Sequence, residues 1–342
     1  MKKLFNLYLY LLTLATMLTL SACIDEDEYD NSAKGNIEAL WKVMDQHYCF
    51  FDYKKEVIGV DWDEVHQRFL AQANEKMTKA QLFEVCSNML AELQDGHVNL
   101  YASHDMGRNW SFKEEHPNNY DDNLVNDNYL GTDYKIAAGL SYRILDDNIA
   151  YVRCESFSEA LGDGNISEAL YFLALCDGLI IDVRNNPGGK LTTSRKLASH
   201  FTNQQTLVGY IYHKTGKGRN DFSKPEEENL EPAEGMRWQK PVIVLANRST
   251  YSAANDFVKC MKVMPNVTIV GDTTGGGSGM PMSSEIPAGW SVRYSAVVML
   301  DQNRQHTEFG VAPDVQVDMT ASDHQNGHDT IIETARKMLR KN

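Results

Sequence analysis

Val242–Ala246, VIVLA, is a run of five apolar residues, three of them β-branched, with no polar position inside it. A strand with one wet face alternates polar and apolar residues, so an unbroken run of this length reads as a strand covered on both faces. Leu179–Val183 reads as another buried strand and Val267–Gly271 as a further short one, and helix-compatible segments stand among them at Ile166–Cys176, Lys190–Phe201 and Ala253–Val258. Strands alternating with helices imply a largely parallel sheet with helices packed over it, so the chain from Asp163 onward is predicted to be α/β. Thr206–Tyr212 reads as a further strand of this region. Ile286–Ala288 and Ser291–Leu300 read as β structure around Gly289-Trp290, and Asp329–Leu339 as a closing helix.

The segment 37–93 has a different period. Ile37, Leu40, Trp41, Met44 and Tyr48 recur at helical spacing, and Trp62–Asn74 and Lys79–Leu93 do the same, the last with Thr78 as N-cap. Three helices packed as a small bundle are expected, followed by an α/β region over 94–342. Gly96 ends the third helix and Val98–Tyr101 alternates like a strand, which leaves His97 on a turn. Gly107–Thr132 reads as an irregular polar loop, and Ile136–Ile144 with Asn148–Cys154 as a hairpin turning at Asp146-Asp147-Asn148. The long charged stretch from His213 to Trp238 is a candidate lid, since a loop of that length in a compact domain is commonly functional or mobile.

The beginning of the chain carries an address. Lys2 and Lys3 precede the apolar run Leu4–Leu20, and Ser21-Ala22-Cys23 follow, so 1–22 reads as a secretory leader. A cysteine directly after small residues resembles the lipobox of bacterial lipoproteins, which implies a lipid on Cys23. The acidic stretch within 23–36 cannot bury apolar area and is expected to be a solvated tether. Its position is similar to the surface-export signal of Bacteroidetes lipoproteins, implying the cell envelope, at the outer membrane and on its surface. The net charge of −14 argues against nucleic acid as a partner. After Cys23, Cys49, Cys86, Cys154, Cys176 and Cys260 form neither a CxxC spacing nor an even set, which argues against a disulfide framework or a zinc site. No metal and no cofactor are expected.

Two turns carry candidate chemistry. After Val242–Ala246 comes a polar turn and then a helix, with Ser252 at the junction, where unpaired N–H groups and the helix dipole favour developing negative charge. Ser252 is therefore a candidate nucleophile, the alternative being that Ser249, Thr250 and Ser252 are ordinary helix caps. Asp182–Gly189, DVRNNPGG, leaves a buried strand with Gly188 and Gly189 exposed ahead of a helix. Their N–H groups suit an oxyanion hole, and the same glycines suit a tight turn. A serine needs a base, and among the ten histidines His97, which follows Gly96 in a turn at a helix end, is the candidate. As base it is expected to titrate at about 6 to 7, the ordinary imidazole range. Glu308 and Asp314, in EFGVAPD, are both candidates to orient it. Among the lysines, Lys190 beside the glycine turn is the first alternative base.

LQDGHVNL, LIIDVRNNPGG, STYSAAND, VGDTTGGG and EFGVAPD occur in an order and approximate spacing that resemble the C-terminal processing (tail-specific) peptidases and tricorn core proteases, over about Ile37–Asp318. The resemblance implies a ClpP/crotonase-like catalytic core, Ser252 as nucleophile, and Gly188 or Gly189 with the Ala253 N–H as oxyanion donors. The processing branch activates its serine with a lysine, and Gly276 stands at that position. The tricorn-like branch uses a histidine and a glutamate, which implies the set Ser252, His97 and Glu308. Tricorn places a relay serine before its histidine, whereas this chain has Gly96. About fifty residues separate Leu100 from Tyr151, too few for a PDZ domain beside the hairpin. The implied activity is serine endopeptidase action on peptides or unfolded protein ends. A ligand- or peptide-binding module and crotonase-like acyl-CoA chemistry are the alternatives on the same fold.

Overall fold

The computed structural model describes residues 29–340; the leader 1–22, Cys23 and the first part of the tether lie outside the described residues. The described residues begin with four helices, α1 (Ala33–His47), α2 (Phe51–Ile58), α3 (Trp62–Leu70) and α4 (Lys79–Ala91). Helix α1 starts inside the stretch expected to be tether, because Ser32 caps it by accepting from the Gly35 N–H at 3.0 Å. Thr78 caps α4 reciprocally: its Oγ1 accepts from the Gln81 N–H at 3.2 Å and the Gln81 side chain accepts from the Thr78 N–H at 2.9 Å. Helix α2 is not apparent from the sequence, since it is too short for its apolar period to register.

Next come β1 (Asn99–Tyr101), β2 (Met106–Arg108), two single-turn helices α5 (Ser111–Glu114) and α6 (Asp122–Val125), and a π-helical turn over Asn126–Leu130. The interval expected to be irregular therefore holds short ordered pieces. Strands β3 (Lys135–Ala137), β4 (Leu140–Ile144) and β5 (Ile149–Cys154) follow. The chain then alternates through α7 (Asp163–Leu173), β6 (Gly178–Asp182), α8 (Leu191–Ser199), β7 (Thr206–His213), β8 (Glu226–Leu230), β9 (Val242–Ala246), α9 (Ala253–Lys262) and β10 (Val267–Gly271). It closes with β11 (Pro281–Ile286), β12 (Trp290–Ser295), β13 (Val297–Leu300), β14 (Val315–Gln316), α10 (Ala321–Gln325) and α11 (Thr330–Leu339).

The main sheet has the order β14-β10-β9-β6-β5-β4-β3. It is parallel from β14 to β5 and antiparallel over the β5-β4-β3 edge. Strand β9 lies between β6 and β10, buried along its whole length; each fully buried Val or Leu there contributes about 2 kcal/mol relative to exposure. Helices α7 to α9 pack on one face of the sheet, with Leu170, Leu197 and Phe257 in the shared core. Helix α11 covers the other face through Ile331, Ile332 and Ala335.

Two expectations for the second half are revised. Strand β7 leaves the parallel sheet and forms a small antiparallel sheet, β13-β7-β8, because its half-covered faces do not suit a strand enclosed on both sides. The run Ser291–Leu300 is divided between two sheets: β12 belongs to the antiparallel sheet β11-β12-β1-β2 and β13 pairs with β7, the change of sheet falling at Ala296. The helices of 37–93 share one core with these later strands, in which Ile37, Trp62 and Phe83 meet Leu100, Val292 and Val298. Among the described residues no helix is long and apolar enough to cross a membrane.

Candidate active site

Strands β6 and β9 run parallel and side by side, so the turns that leave them emerge together at their carboxyl ends. Hydrogen bonds stitch the two turns. Thr250 Oγ1 donates to the Val183 carbonyl at 2.8 Å, the Tyr251 N–H to the Asn186 carbonyl at 3.0 Å, and the Asn185 N–H to Asn247 Oδ1 at 3.0 Å. The turn after β6 is also anchored from below. Fully buried Arg184 donates to Asp182 through Nε at 2.9 Å and through Nη2 at 2.6 Å, and to Asp329 Oδ2 through Nη1 at 2.8 Å. Asp329 in turn caps α11, so the last helix holds the glycine turn in place. The Arg184 charge keeps the Asp182 carboxyl below its ordinary range although burial opposes it.

Ser252 stands at the start of α9 with φ +57° and ψ −121°, a backbone conformation that a residue with a Cβ rarely adopts. Its own N–H donates to the Gly276 carbonyl at 2.8 Å, and its hydroxyl makes no capping bond to the helix. The cap reading of Ser252 therefore fails, and the hydroxyl is turned instead toward His97, whose Nε2 lies 3.0 Å from Ser252 Oγ. His97 is held from behind by Asp95, which accepts its backbone N–H at 2.7 Å and the Ser295 hydroxyl at 2.9 Å. The Tyr251 ring meets the imidazole edge-on at 5.0 Å and stacks on Phe112 at 4.4 Å.

Burial sets the basicity of this histidine. With the ring enclosed, the protonated form is disfavoured and the pKa falls to about 4; Asp95 pulls it upward and Arg293 pushes it down. The ordinary value of about 6 to 7 expected from sequence is corrected accordingly. His97 Nδ1 is buried near the Gly279 backbone without an aligned hydrogen bond.

Glu308 is buried beside this group and does not bond to His97. Its Oε1 accepts from Lys54 Nζ at 3.1 Å and its Oε2 from the Ser278 N–H at 3.0 Å, so both oxygens are engaged elsewhere. Burial, and then the nearby Asp95 charge, raise its pKa to about 7. Lys54, from α2, is fully buried, donates also to the Gln94 carbonyl at 3.2 Å and lies over the Phe309 ring at 3.9 Å. The other candidate acid, Asp314, bonds to Lys262 at 2.9 Å and to the Ile269 N–H at 2.8 Å, while Lys190 is exposed.

Asp95 and Lys54 were not among the residues singled out from the sequence. Asp95 was visible two residues before His97, whereas Lys54 lies on the helix that the reading missed. A side chain at Gly96, the position of the relay serine, would collide with Phe112 and with the Tyr251 hydroxyl, each 2.7 Å from its Cβ. A lysine at 276 is likewise excluded, since a Cβ there would fall 1.9 Å from the Glu308 carbonyl oxygen.

The two glycines of the turn have different tasks. The Gly188 N–H is already donated to Asn186 Oδ1 at 2.9 Å. What Gly188 supplies is proximity: at φ +97° it lies so close to the nucleophile that a Cβ would stand 2.8 Å from Ser252 Cβ and from the Ala253 N. The N–H groups of Gly189 and Ala253 donate to nothing among the described residues, and Gly189 borders the same cavity as Ser252. That cavity has a volume of about 690 Å³ and is bordered by His97, Tyr101, Trp110, Phe112, Met280 and Arg293 among others. No residue of 213–238 borders it. The candidate lid instead includes β8, and its Arg219 is fastened to Asp45 at 2.6 Å and to Asp63 at 2.8 Å.

Residues 148–317 match the model of peptidase family S41, and residues 29–91 match the tricorn protease C1 domain. A crystal structure from Parabacteroides merdae ATCC 43184, provisionally described as a peptidase, is 48% identical, with a TM-score of 0.86 over 91% of this chain and 97% of that one. Mature CPAF complexed with lactacystin shares the fold at 13% identity, with a TM-score of 0.68 over 90% of this chain and 97% of that one. The carboxy-terminal processing protease CtpA of Bacillus subtilis is 26% identical over 177 residues, 51% of this chain and 36% of that protein. The chain thus matches well under half the length of that curated relative. With an extensive likeness at nearly half identity and family matches at both ends, the chain belongs to peptidase family S41, the serine peptidases of the C-terminal processing and tricorn type.

Proposed function

We propose that this chain is a lipid-anchored serine endopeptidase of the cell envelope that hydrolyses peptides or unstructured protein ends. Ser252 is the nucleophile, His97 its base, and Glu308 the buried carboxylate behind the base. The observation that carries this reading is the 3.0 Å approach of His97 Nε2 to the hydroxyl of a serine held in a strained conformation at a helix start. A module that only binds a ligand has no need of that strain, which costs about 1–3 kcal/mol.

In this mechanism the Ser252 oxygen attacks the scissile carbonyl carbon as His97 Nε2 takes the hydroxyl proton. The negative charge that forms on the carbonyl oxygen is received by the Gly189 and Ala253 N–H groups, at the positive end of α9. His97 then returns the proton to the departing amine, and water cleaves the acyl-enzyme by the reverse sequence. Asp95 stands closest in the electrostatic environment of His97 and favours the imidazolium. Glu308 acts one layer further back, with Lys54 limiting the repulsion between the two buried acids.

A fluorophosphonate probe tests the nucleophile. Ser252 is expected to be labelled in the wild type and in Ser249→Ala, and labelling is expected to vanish in Ser252→Ala; an adduct on Ser249 would overturn the assignment. The anchor rests on the lipobox-like Ser21-Ala22-Cys23, followed by the acidic stretch. Cys23→Ala should move the protein from the membrane to the soluble fraction, and a variant that still pellets with membranes would refute it. The outer membrane, with exposure at the cell surface, is the proposed location on the strength of that acidic stretch alone.

A further inference from the structure

Arg293 borders the same cavity as Ser252 and His97, and its guanidinium has no carboxylate partner among the described residues. This is unusual in a chain carrying 47 acidic against 33 basic residues. Elsewhere the arginines are mostly engaged: Arg195 with Asp256 and Glu228, Arg219 with Asp45 and Asp63, Arg248 with Asp272. The one carboxylate on the cavity wall, Asp256, is already neutralised by Arg195 at 3.0 Å and Lys259 at 2.9 Å. The wall therefore carries, beside the nucleophile, a guanidinium with no ion-pair partner among the described residues.

The sheet places more positive charge next to it. In the register of β12, β1 and β2, Arg293 stands opposite Asn99, and Asn99 opposite Arg108. Residues directly opposite one another project from the same face, so the three form one row across the sheet. The Arg108 guanidinium lies 3.9 Å from the ring centre of Trp110, which borders the cavity, and Lys113 Nζ lies 4.4 Å from that centre. Neither cation is ion-paired among the described residues.

We propose that Arg293 receives a carboxylate of the peptide substrate, with Arg108 and Lys113 adding positive potential at the same wall. The proposal rests on the peptidase reading and names the substrate class: peptides carrying a free carboxylate near the scissile bond, either the chain end or an Asp or Glu side chain. A guanidinium presents paired donors to a carboxylate, which is the geometry this recognition requires. The seated carboxylate has a second effect. It offsets the Arg293 charge, one of the influences that hold the His97 ring unprotonated, just when that ring must accept a proton.

The test is a binding measurement on folded Ser252→Ala protein by fluorescence anisotropy, with three peptides of one neutral sequence. The first ends in a free carboxylate, the second in an amide, and the third in an amide with one Gln near the end replaced by Glu. One or both carboxylate peptides should bind about tenfold more tightly than the neutral amide. That advantage should fall toward one in Ser252→Ala/Arg293→Gln and be partly retained in Ser252→Ala/Arg293→Lys, each checked by thermal melting. An advantage for the first peptide alone assigns the site to the chain end, and one for the third alone to an acidic side chain. Equal affinities for all three, or an advantage that survives Arg293→Gln, would overturn the proposal. If the advantage depends on Arg293 but the wild type cleaves no peptide, the peptidase reading fails and the receptor stands.

Discussion

Protonating His97 should destabilise the folded protein by an amount that follows from its burial. The ordinary imidazole pKa of 6.5 falls to about 4 in the fold, a difference of about 2.5 units, or about 3 kcal/mol. As pH drops below 6.5, the unfolded chain takes up a proton at this position that the native ring refuses until about 4. Stability is therefore lost across that window and is fully present above it. Glu308 has the opposite sign. Its native carboxyl, raised to about 7, keeps a proton that the unfolded chain releases above about 4.5, so its contribution is present at low pH and fades toward neutrality. The two trends overlap, and the pH–stability curve of the wild type alone does not separate them. The informative quantity is the stability difference between wild type and His97→Gln, measured by urea denaturation from about pH 7.5 down to about 4.5. That difference should shift by about 2 to 3 kcal/mol against the wild type over the range. The kinetic counterpart is an acid limb of kcat/KM with its midpoint at about 4, well below the free imidazole value. A midpoint at 6.5 or above, or a difference that does not move with pH, would refute the burial argument.

Three further outcomes follow from the geometry. Gly188→Ala should fold yet lose at least about 100-fold in kcat, read with a chromogenic peptide, because its Cβ would stand 2.8 Å from Ser252 Cβ and the Ala253 N. Ser252→Gly should abolish turnover while raising stability by about 1 kcal/mol in urea melts, since a glycine adopts φ +57° without strain. Arg184→Met should cost about 3–5 kcal/mol of stability, measured the same way, by leaving Asp182 and Asp329 buried without their common partner.

Much of the fold was legible because burial leaves a period in the chain. Val242–Ala246 and Leu179–Ile181 are apolar without alternation because both faces of the central sheet are covered, and that is a local property of the sequence. The same logic made β7 hard to place: its mixed pattern fits either an edge of the main sheet or a separate sheet, and only pairing with β8 and β13 decides. The switch of sheet at Ala296 coincides with a change from the alternating burial of β12 to the unbroken burial of β13, but that pattern does not say which strands either of them pairs with.

The candidate site divides along a similar line. Ser252, His97 and the glycine turn could be singled out because each stands at the end of a strand or helix, where backbone groups and side chains are free to do chemistry. The sequence by itself determined those residue types, their turns and the absence of a lysine at Gly276. It did not determine which N–H of the glycine pair stays free, because that depends on Asn186 taking the Gly188 N–H. Nor did it determine the partners of Glu308. Lys54 comes from a helix 254 positions earlier in the chain and meets the carboxylate only in the packed core. Contacts of such separation leave no period in the sequence, and the shift of the His97 pKa, which arises from enclosure by the whole fold, exists only in the tertiary structure.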